Sequence, residues 1–109
     1  MSMLNQKTCV PCKGGIPPLT TKEIAPFLKE LSVGWTLIEK KQIEKSYTFP
    51  TYLEGIAFCN KVAELSEAEG HHPYIHINYK EVKIILFTHK INGLHENDFI
   101  VASKCDLLL

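Results

Sequence analysis

Five histidines are the side chains of this protein best suited to chemistry, because imidazole both donates and accepts protons near neutral pH. All five fall within 25 positions: His71, His72, His76, His89 and His95. Glu67 and Glu69 precede this region and Asp98 follows it. A carboxylate beside a histidine fixes its tautomer and stabilises its protonated form. We therefore expect any acid–base chemistry of the chain to reside in its C-terminal half.

The pair His71-His72 follows a predicted helix that ends in Glu-Ala-Glu-Gly. Carboxylates at a helix C-terminus oppose the helix dipole, and the two histidines could compensate for them. Adjacent residues of an extended chain point in opposite directions, so His71 and His72 cannot easily bind one metal ion together. They either meet two parts of one flat ligand, or one of them faces the core. Asp98 either caps the last helix or orients an imidazole.

Charge and hydropathy exclude several classes of protein. The chain has 12 basic residues, all of them lysines, and 12 acidic residues. Without the arginine fork that grips phosphates and guanine edges, nucleic-acid binding is not expected. The longest strongly apolar run, residues 84–87, is too short to cross a bilayer, and the first residues lack the apolar segment of a secretory signal. We expect a cytoplasmic protein that contacts neither nucleic acid nor membranes.

Two of the four cysteines, Cys9 and Cys12, form a Cys-x-x-Cys motif. A structural zinc site usually needs a second such pair or a spaced histidine pair, and a thioredoxin-like motif needs a preceding strand. We therefore favour free thiols on a flexible arm over residues 1–19, with a metal knuckle as the alternative. Cys59 and Cys105 fall in helical patterns and are expected to be small core residues.

The elements that must position the histidines follow from periodicity and capping signals. Gly70 is predicted to end the second helix in a left-handed conformation, Tyr79 to lie on a buried strand face, and His89 to end the last strand. The order αββαββα predicts an α+β fold of two layers, a four-stranded antiparallel sheet with helices on one face, in a single domain over residues 20–109. The predicted helices span 21–31, 52–68 and 96–107, and the predicted strands span 35–40, 43–49, 74–79 and 82–88.

The pattern Glu67-x3-His71-His72-Pro73-x5-Tyr79-x9-His89-x8-Asp98 resembles the signature of the pterin-4a-carbinolamine dehydratases. Gly34-Trp35 and Gly93-Leu94 also match that family, so the resemblance covers about residues 20–107. The Cys-x-x-Cys-x-Gly-Gly segment resembles an extension of some bacterial members. The resemblance implies an antiparallel sheet backed by helices, a homodimer or homotetramer, and dehydration of 4a-hydroxytetrahydropterin without a metal or cofactor.

The same resemblance implies roles for individual residues. His71 and His72 are the acid–base candidates, and His89 assists them or binds the pterin. Asp98 orients a histidine, whereas His76 and His95 are expected to be structural, with His95 a poorer helix cap than the usual Ser or Thr. The catalytic candidates are His71, His72, His89 and Asp98, and the substrate-binding candidates are Glu67, Trp35 and Pro73.

Three functions therefore stay open at this point. The first is the dehydratase, which recycles the pterin of aromatic amino acid hydroxylases such as a phenylalanine hydroxylase. The second is a non-catalytic dimerisation or assembly partner that retains the fold, although pure scaffolding would not require the histidines together. The third is a metal-binding protein that uses the histidines with Cys9 and Cys12.

Overall fold

A four-stranded antiparallel sheet forms one layer of the protein, and three helices cover one of its faces, as the sequence predicts. The structure is a computed structural model that describes residues 4–11 and 14–109. The strands lie in the order β1-β2-β4-β3. The strands are β1 (Thr36–Ile38), β2 (Gln42–Thr48), β3 (Tyr74–Asn78) and β4 (Glu81–Leu86), and the helices are α1 (Thr21–Glu30), α2 (Tyr52–Glu69) and α3 (Glu96–Asp106).

The core lies between the sheet and the helices. Alternation along β2 buries Ile43 and Tyr47 and leaves Ser46 and Thr48 exposed, which is the period of a half-buried strand. Helix α3 differs, because residues on every side of it are buried, including Asp98 at its start and Cys105 near its end. This helix therefore runs through the interior, and groups at its two ends are held by the surrounding chain.

Capping residues set the bounds of the helices near the predicted positions. Thr20 accepts the Glu23 N–H, and the Glu23 side chain accepts the Thr20 N–H, so the predicted capping box is complete. Gly70 ends α2 with φ of 67°, a left-handed conformation that glycine adopts without a steric penalty. The chain turns sharply there, and His71 and His72 leave the helix toward the sheet.

The turns differ from the predictions in three places. The first hairpin turns at residues 39–41, with Glu39 and Lys40 at positive φ, whereas the predicted strands 35–40 and 43–49 place the turn after Lys40. Tyr79 has φ of 54° and is 66% exposed, so its predicted burial is wrong. It lies in the second hairpin turn and stacks on Tyr52. Strand β4 ends at Leu86, and His89 begins a short 3₁₀ helix instead of ending the strand.

The described residues among the first nineteen pack more closely than the predicted flexible arm would. Leu4 begins a 3₁₀ turn and is 1% exposed within the core. Farther along, the Leu19 N–H donates to the Leu94 carbonyl. Cys12 lies outside the described residues, so the predicted Cys-x-x-Cys arm stays a prediction there. In the part of the chain that is described, no helix has the length and apolar character needed to cross a membrane.

The carboxylate of Asp106 is the centre of a polar cluster at the C-terminal end of α3. Trp35 Nε1 donates to it over 3.0 Å, the Tyr47 hydroxyl over 2.6 Å and Lys45 Nζ over 2.8 Å, and Ser32 donates as well. Burial alone would raise the pKa of Asp106, but these four donors outweigh it and lower that pKa. They also offset the unfavourable position of a carboxylate at a helix C-terminus.

Candidate active site

A cavity of about 430 Å³ brings together three of the predicted catalytic histidines, His71, His72 and His89. The first two lie between α2 and β3, and the third follows β4. Because β3 and β4 are antiparallel, the start of one lies beside the end of the other, with Tyr74 opposite Ile85. The cavity is lined by Pro11, Gly70, His71, His72, Phe87, Thr88, His89, Lys90 and Asn97.

His71 is held by Asp98 at the start of α3. Its Nε2 lies 2.6 Å from Asp98 Oδ1, and its side chain is 11% exposed, whereas the Asp98 side chain is completely buried. The other carboxylate oxygen accepts the Thr88 hydroxyl over 2.7 Å and the His95 N–H over 3.0 Å. Three hydrogen-bond partners and the N-terminus of α3 therefore surround the Asp98 carboxylate.

This contact determines which nitrogen of His71 carries a proton. An ionised carboxylate only accepts hydrogen bonds, so Nε2 of His71 must be the donor. In the neutral ring Nδ1 is then the basic nitrogen. When that nitrogen takes a proton, the Asp98 carboxylate stabilises the resulting imidazolium. The pair therefore has the arrangement of a general base, His71, that is oriented by a carboxylate, Asp98.

Asp98 performs both functions that the sequence left open, since it caps α3 and contacts a histidine. His95 was expected to be a poorer helix cap than serine or threonine, but its ring does cap α3. Its ring Nδ1 accepts the Asn97 N–H over 2.9 Å, and Asp98 accepts the His95 N–H in return. An imidazole thus replaces the hydroxyl of an ordinary capping box, and Asp98 stays at the usual third position of the helix.

The two carboxylates at the end of α2 find different partners. Glu67 Oε2 lies 2.5 Å from His72 Nε2, and both side chains of this pair are exposed. Glu69 contacts neither histidine; it accepts the Cys9 N–H over 2.8 Å and pairs with Lys104. Burial acts against ionisation of Glu69, but these two donors prevail and lower its pKa. The predicted compensation by histidine is therefore right for Glu67 and wrong for Glu69.

His89 is positioned by aromatic side chains. Its Nε2 lies 2.8 Å from the Tyr74 hydroxyl. Its ring also makes edge contacts with Tyr74 and with Phe87, whose centroid is 4.8 Å away. His76, by contrast, is exposed on β3 and does not line the cavity. The structure thus separates the histidines into three that share a cavity, one that caps a helix and one on the surface.

None of the three predicted substrate-binding residues, Glu67, Trp35 and Pro73, is among the residues that line this cavity. Trp35 belongs to the core and donates to Asp106, which lies eight residues, or about 12 Å of helix, beyond Asp98. Pro73 follows the histidine pair but is not part of the lining. Across residues 4–11 and 14–109, no three His, Cys, Asp or Glu side chains form a group that could hold a metal ion.

Sequence reasoning missed several residues that complete the site. Thr88 contacts Asp98 and Tyr74 contacts His89, and a signal for both existed, since Thr88 precedes His89 and Tyr74 lies two positions after His72. Asn97 and Pro11 had no such signal. Asn97 contacts Val10, 87 residues away, and Pro11 lies in a stretch that is predicted to be an arm.

Comparison with known proteins gives a consistent result. Residues 17–108 match the family model described as "Pterin 4 alpha carbinolamine dehydratase". A curated protein of Rickettsia canadensis, named "Putative pterin-4-alpha-carbinolamine dehydratase", is 44% identical over 97% of both chains. A protein of the same name from Rubrobacter xylanophilus is 43% identical over 99% of this chain and all of its own length.

Two solved structures are also similar. One is a transcriptional coactivator/pterin dehydratase from Brucella melitensis, with a TM-score of 0.78 and 29% identity over 84% of this chain and 97% of its own. The other is a pterin dehydratase-like protein identified as a RuBisCO assembly factor in the alpha-carboxysome. It has a TM-score of 0.60 and 28% identity over 69% of this chain and 88% of its own.

Proposed function

Since the chain belongs to the pterin-4-alpha-carbinolamine dehydratase family, we propose that it removes water from 4a-hydroxytetrahydropterin to give quinonoid dihydropterin. The observation that carries this proposal is the shared cavity of His71, His72 and His89, with His71 held by the buried Asp98. Such a cavity offers several imidazoles to one flat substrate, which is what a reaction with two proton transfers requires.

The reaction transfers two protons and shifts two electron pairs, one that leaves with the oxygen and one that forms a double bond. The bond between C4a and its hydroxyl breaks, and the leaving oxygen takes a proton to become water. The N5–H bond gives up its proton, and its electrons form the C4a–N5 double bond. No electron enters or leaves overall, so acid–base groups suffice, and each positioned group contributes a rate factor of about 10²–10⁴.

The geometry supports a division of roles among the histidines. His71 is the proposed base for the N5 proton, because Asp98 fixes Nε2 as a donor and stabilises the imidazolium. His72 is the proposed acid for the leaving hydroxyl, since it lines the same cavity as His71 and its Nε2 contacts the Glu67 carboxylate. His89, flanked by Tyr74 and Phe87, is the proposed pterin-binding residue.

This activity would serve enzymes that release 4a-hydroxytetrahydropterin. Aromatic amino acid hydroxylases are the expected source, a phenylalanine hydroxylase among them, and a homodimer or homotetramer is the expected assembly. A cytoplasmic location fits such a recycling role. A coupled assay with a hydroxylase tests the source of the substrate, and light scattering of the purified protein tests the assembly state.

The test of the proposed function is the rate of 4a-hydroxytetrahydropterin breakdown, followed by ultraviolet absorbance with and without the protein. We expect a large acceleration that His71→Ala removes. The matched control is His76→Ala, which deletes an exposed imidazole outside the cavity and should leave the rate unchanged. If the folded wild-type protein gives no acceleration, the enzyme hypothesis is wrong.

The alternative function is a non-catalytic assembly or dimerisation partner. It is favoured by one specific observation, the similarity to a pterin dehydratase-like protein identified as a RuBisCO assembly factor. The same assay separates the two functions, because an assembly partner has no need to accelerate the breakdown of the pterin.

A further inference from the structure

Residues 4–11, which we call the N-terminal strap, pack against the two segments that position His71. The Cys9 N–H donates to Glu69 Oε1 at the end of α2 over 2.8 Å. The Val10 N–H donates to Asn97 Oδ1 at the start of α3 over 3.1 Å. The strap therefore contacts the chain on both sides of the His71–Asp98 pair.

The contact with Asn97 has the geometry of a specific attachment. Its amide nitrogen also donates to the Val10 carbonyl over 2.7 Å, so both ends of the amide bind the backbone of one residue. Asn97 is 2% exposed and precedes Asp98 in the first turn of α3. A displacement of the strap would leave buried polar groups without partners next to Asp98, and such groups are costly.

The contact of the strap with Glu69 is also largely shielded from solvent. Its side chain is 9% exposed and lies between the Cys9 N–H and the Lys104 ammonium. Glu69 immediately precedes Gly70, where the chain turns toward the histidine pair. Burial and the nearby Glu69 carboxylate also raise the pKa of the Cys9 thiol to about 12. Cys9 therefore stays a neutral thiol at this junction and is a packing group there.

The end of the strap reaches the cavity itself, because Pro11 lines it together with His71, His72 and His89. We propose that the N-terminal strap is a working part of the active site, with Pro11 as a substrate-contacting residue and Asn97 as a positioning residue for Asp98. This inference rests on the proposed dehydratase function. It adds to the cavity wall a residue that lies outside the signature over residues 67–98.

The first test enlarges a side chain at the cavity wall. Pro11→Trp changes an exposed position and should narrow the cavity, so we expect KM to rise about tenfold or more with kcat changed less than threefold. Pro17→Trp is the matched control, since Pro17 is exposed and lines a different cavity, and its KM should stay at the wild-type value. An unchanged KM in Pro11→Trp overturns the role of Pro11.

The second test removes the strap's hydrogen bond to Asn97. Val10→Pro lacks the N–H that Asn97 accepts, whereas Val10→Ala keeps it, so the two variants differ mainly in that bond. We expect Val10→Pro to lower kcat about threefold to tenfold and to move the ring ¹⁵N signals of His71, with Val10→Ala close to wild type. Asn97→Asp, which replaces the donor to the Val10 carbonyl with an oxygen, should change the same signals and provides a second route if Val10→Pro does not fold.

The outcomes separate the two proposals. An active wild-type protein whose kcat and His71 ring signals are unchanged in Val10→Pro and Asn97→Asp overturns the positioning role of the strap and leaves the dehydratase intact. A folded wild-type protein without activity overturns the proposed function, and the substrate-contacting role of Pro11 with it. In that case unchanged ring signals in both variants overturn the positioning role as well, and moved signals support it.

Discussion

Oδ1 of Asp98 lies 2.6 Å from Nε2 of His71, although the two residues are 27 positions apart in the chain. The same carboxylate caps α3 through the His95 N–H. One buried side chain therefore connects the start of a core helix to the imidazole that the proposed reaction uses as its base. The placement of His71 depends on how α3 begins, and each change at that helix start becomes a test of the site.

Asp98→Asn should lower kcat about 10²–10⁴-fold, because a neutral amide neither enforces the Nε2–H form of His71 nor stabilises its imidazolium. Steady-state kinetics of pterin dehydration measure this change. Thr88→Val serves as the comparison, since it removes only one neutral donor to Asp98 and should reduce kcat about tenfold or less. Equal activity of Asp98→Asn and wild type would reduce Asp98 to a helix cap.

His95→Ala should lower the free energy of unfolding by about 1 kcal/mol, because the Asn97 N–H loses the acceptor that the imidazole provides. His95→Ser restores a short acceptor and should recover most of the loss. Urea unfolding of the three proteins, monitored by circular dichroism, measures the difference. A serine variant as unstable as the alanine variant would show that the ring acts through packing rather than as a cap.

Gly70→Ala should lower the free energy of unfolding by about 1 kcal/mol through its backbone alone. Gly70 has φ of 67°, and a Cβ built there meets no atom within 4 Å, so strain and not collision is the cause. Gly70→Asn should be less destabilising, since asparagine tolerates the left-handed conformation. Thermal or urea unfolding compares the two. Equal stability of wild type and Gly70→Ala would contradict this account.

Stability should fall in acid because Glu69 and Asp106 both have lowered pKa values in the folded protein. A carboxyl whose folded pKa is lowered stabilises the fold above its ordinary pKa, here 4.5 and 3.8, and loses that contribution as pH falls through the folded value. Urea unfolding at a series of pH values below about 5 should therefore show a steady decline.

Asp106→Asn is the variant that isolates one of these groups. It should lower the free energy of unfolding by about 2–3 kcal/mol at neutral pH, because Lys45 and Tyr47 lose their charged acceptor, and it should flatten the acid dependence. Glu64→Gln, at an exposed position of α2, is the matched control and should keep the wild-type slope. An unaltered slope in Asp106→Asn would contradict the prediction.

Local signals made most of the fold predictable. The capping residues Thr20 and Thr51 and the glycine after α2 made the helix bounds predictable because those contacts lie within one turn. Alternation made β2 predictable because one of its faces is buried. The histidine pair and His89 could be expected in one site because an antiparallel hairpin returns the chain to the entry of β3. These inferences needed only contacts between near neighbours or adjacent strands.

The remaining features depend on contacts between distant segments. Trp35 lies in the core because Asp106, 71 residues later, accepts its indole N–H, and no periodicity encodes such a pair. Residues 1–19 are rich in proline, glycine and polar residues, so composition alone predicts an arm. Residues 4–11 are instead held by the buried Leu4 and by hydrogen bonds to Glu69 and Asn97, which lie 60 and 87 positions away from their partners. Tyr79 carries the composition of a strand but occupies a turn with positive φ.

The two aspartates at the ends of α3 have a consequence for the dynamics of the protein. Asp98 holds the first turn against His71 and Thr88, and Asp106 holds the last turn against Lys45, Tyr47 and Trp35. With eight of its eleven residues buried, this helix has no free end from which to fray. Its central amides should therefore exchange their hydrogens with solvent only through global unfolding, and the carboxylate of Asp98 would belong to the slowest-exchanging unit of the protein.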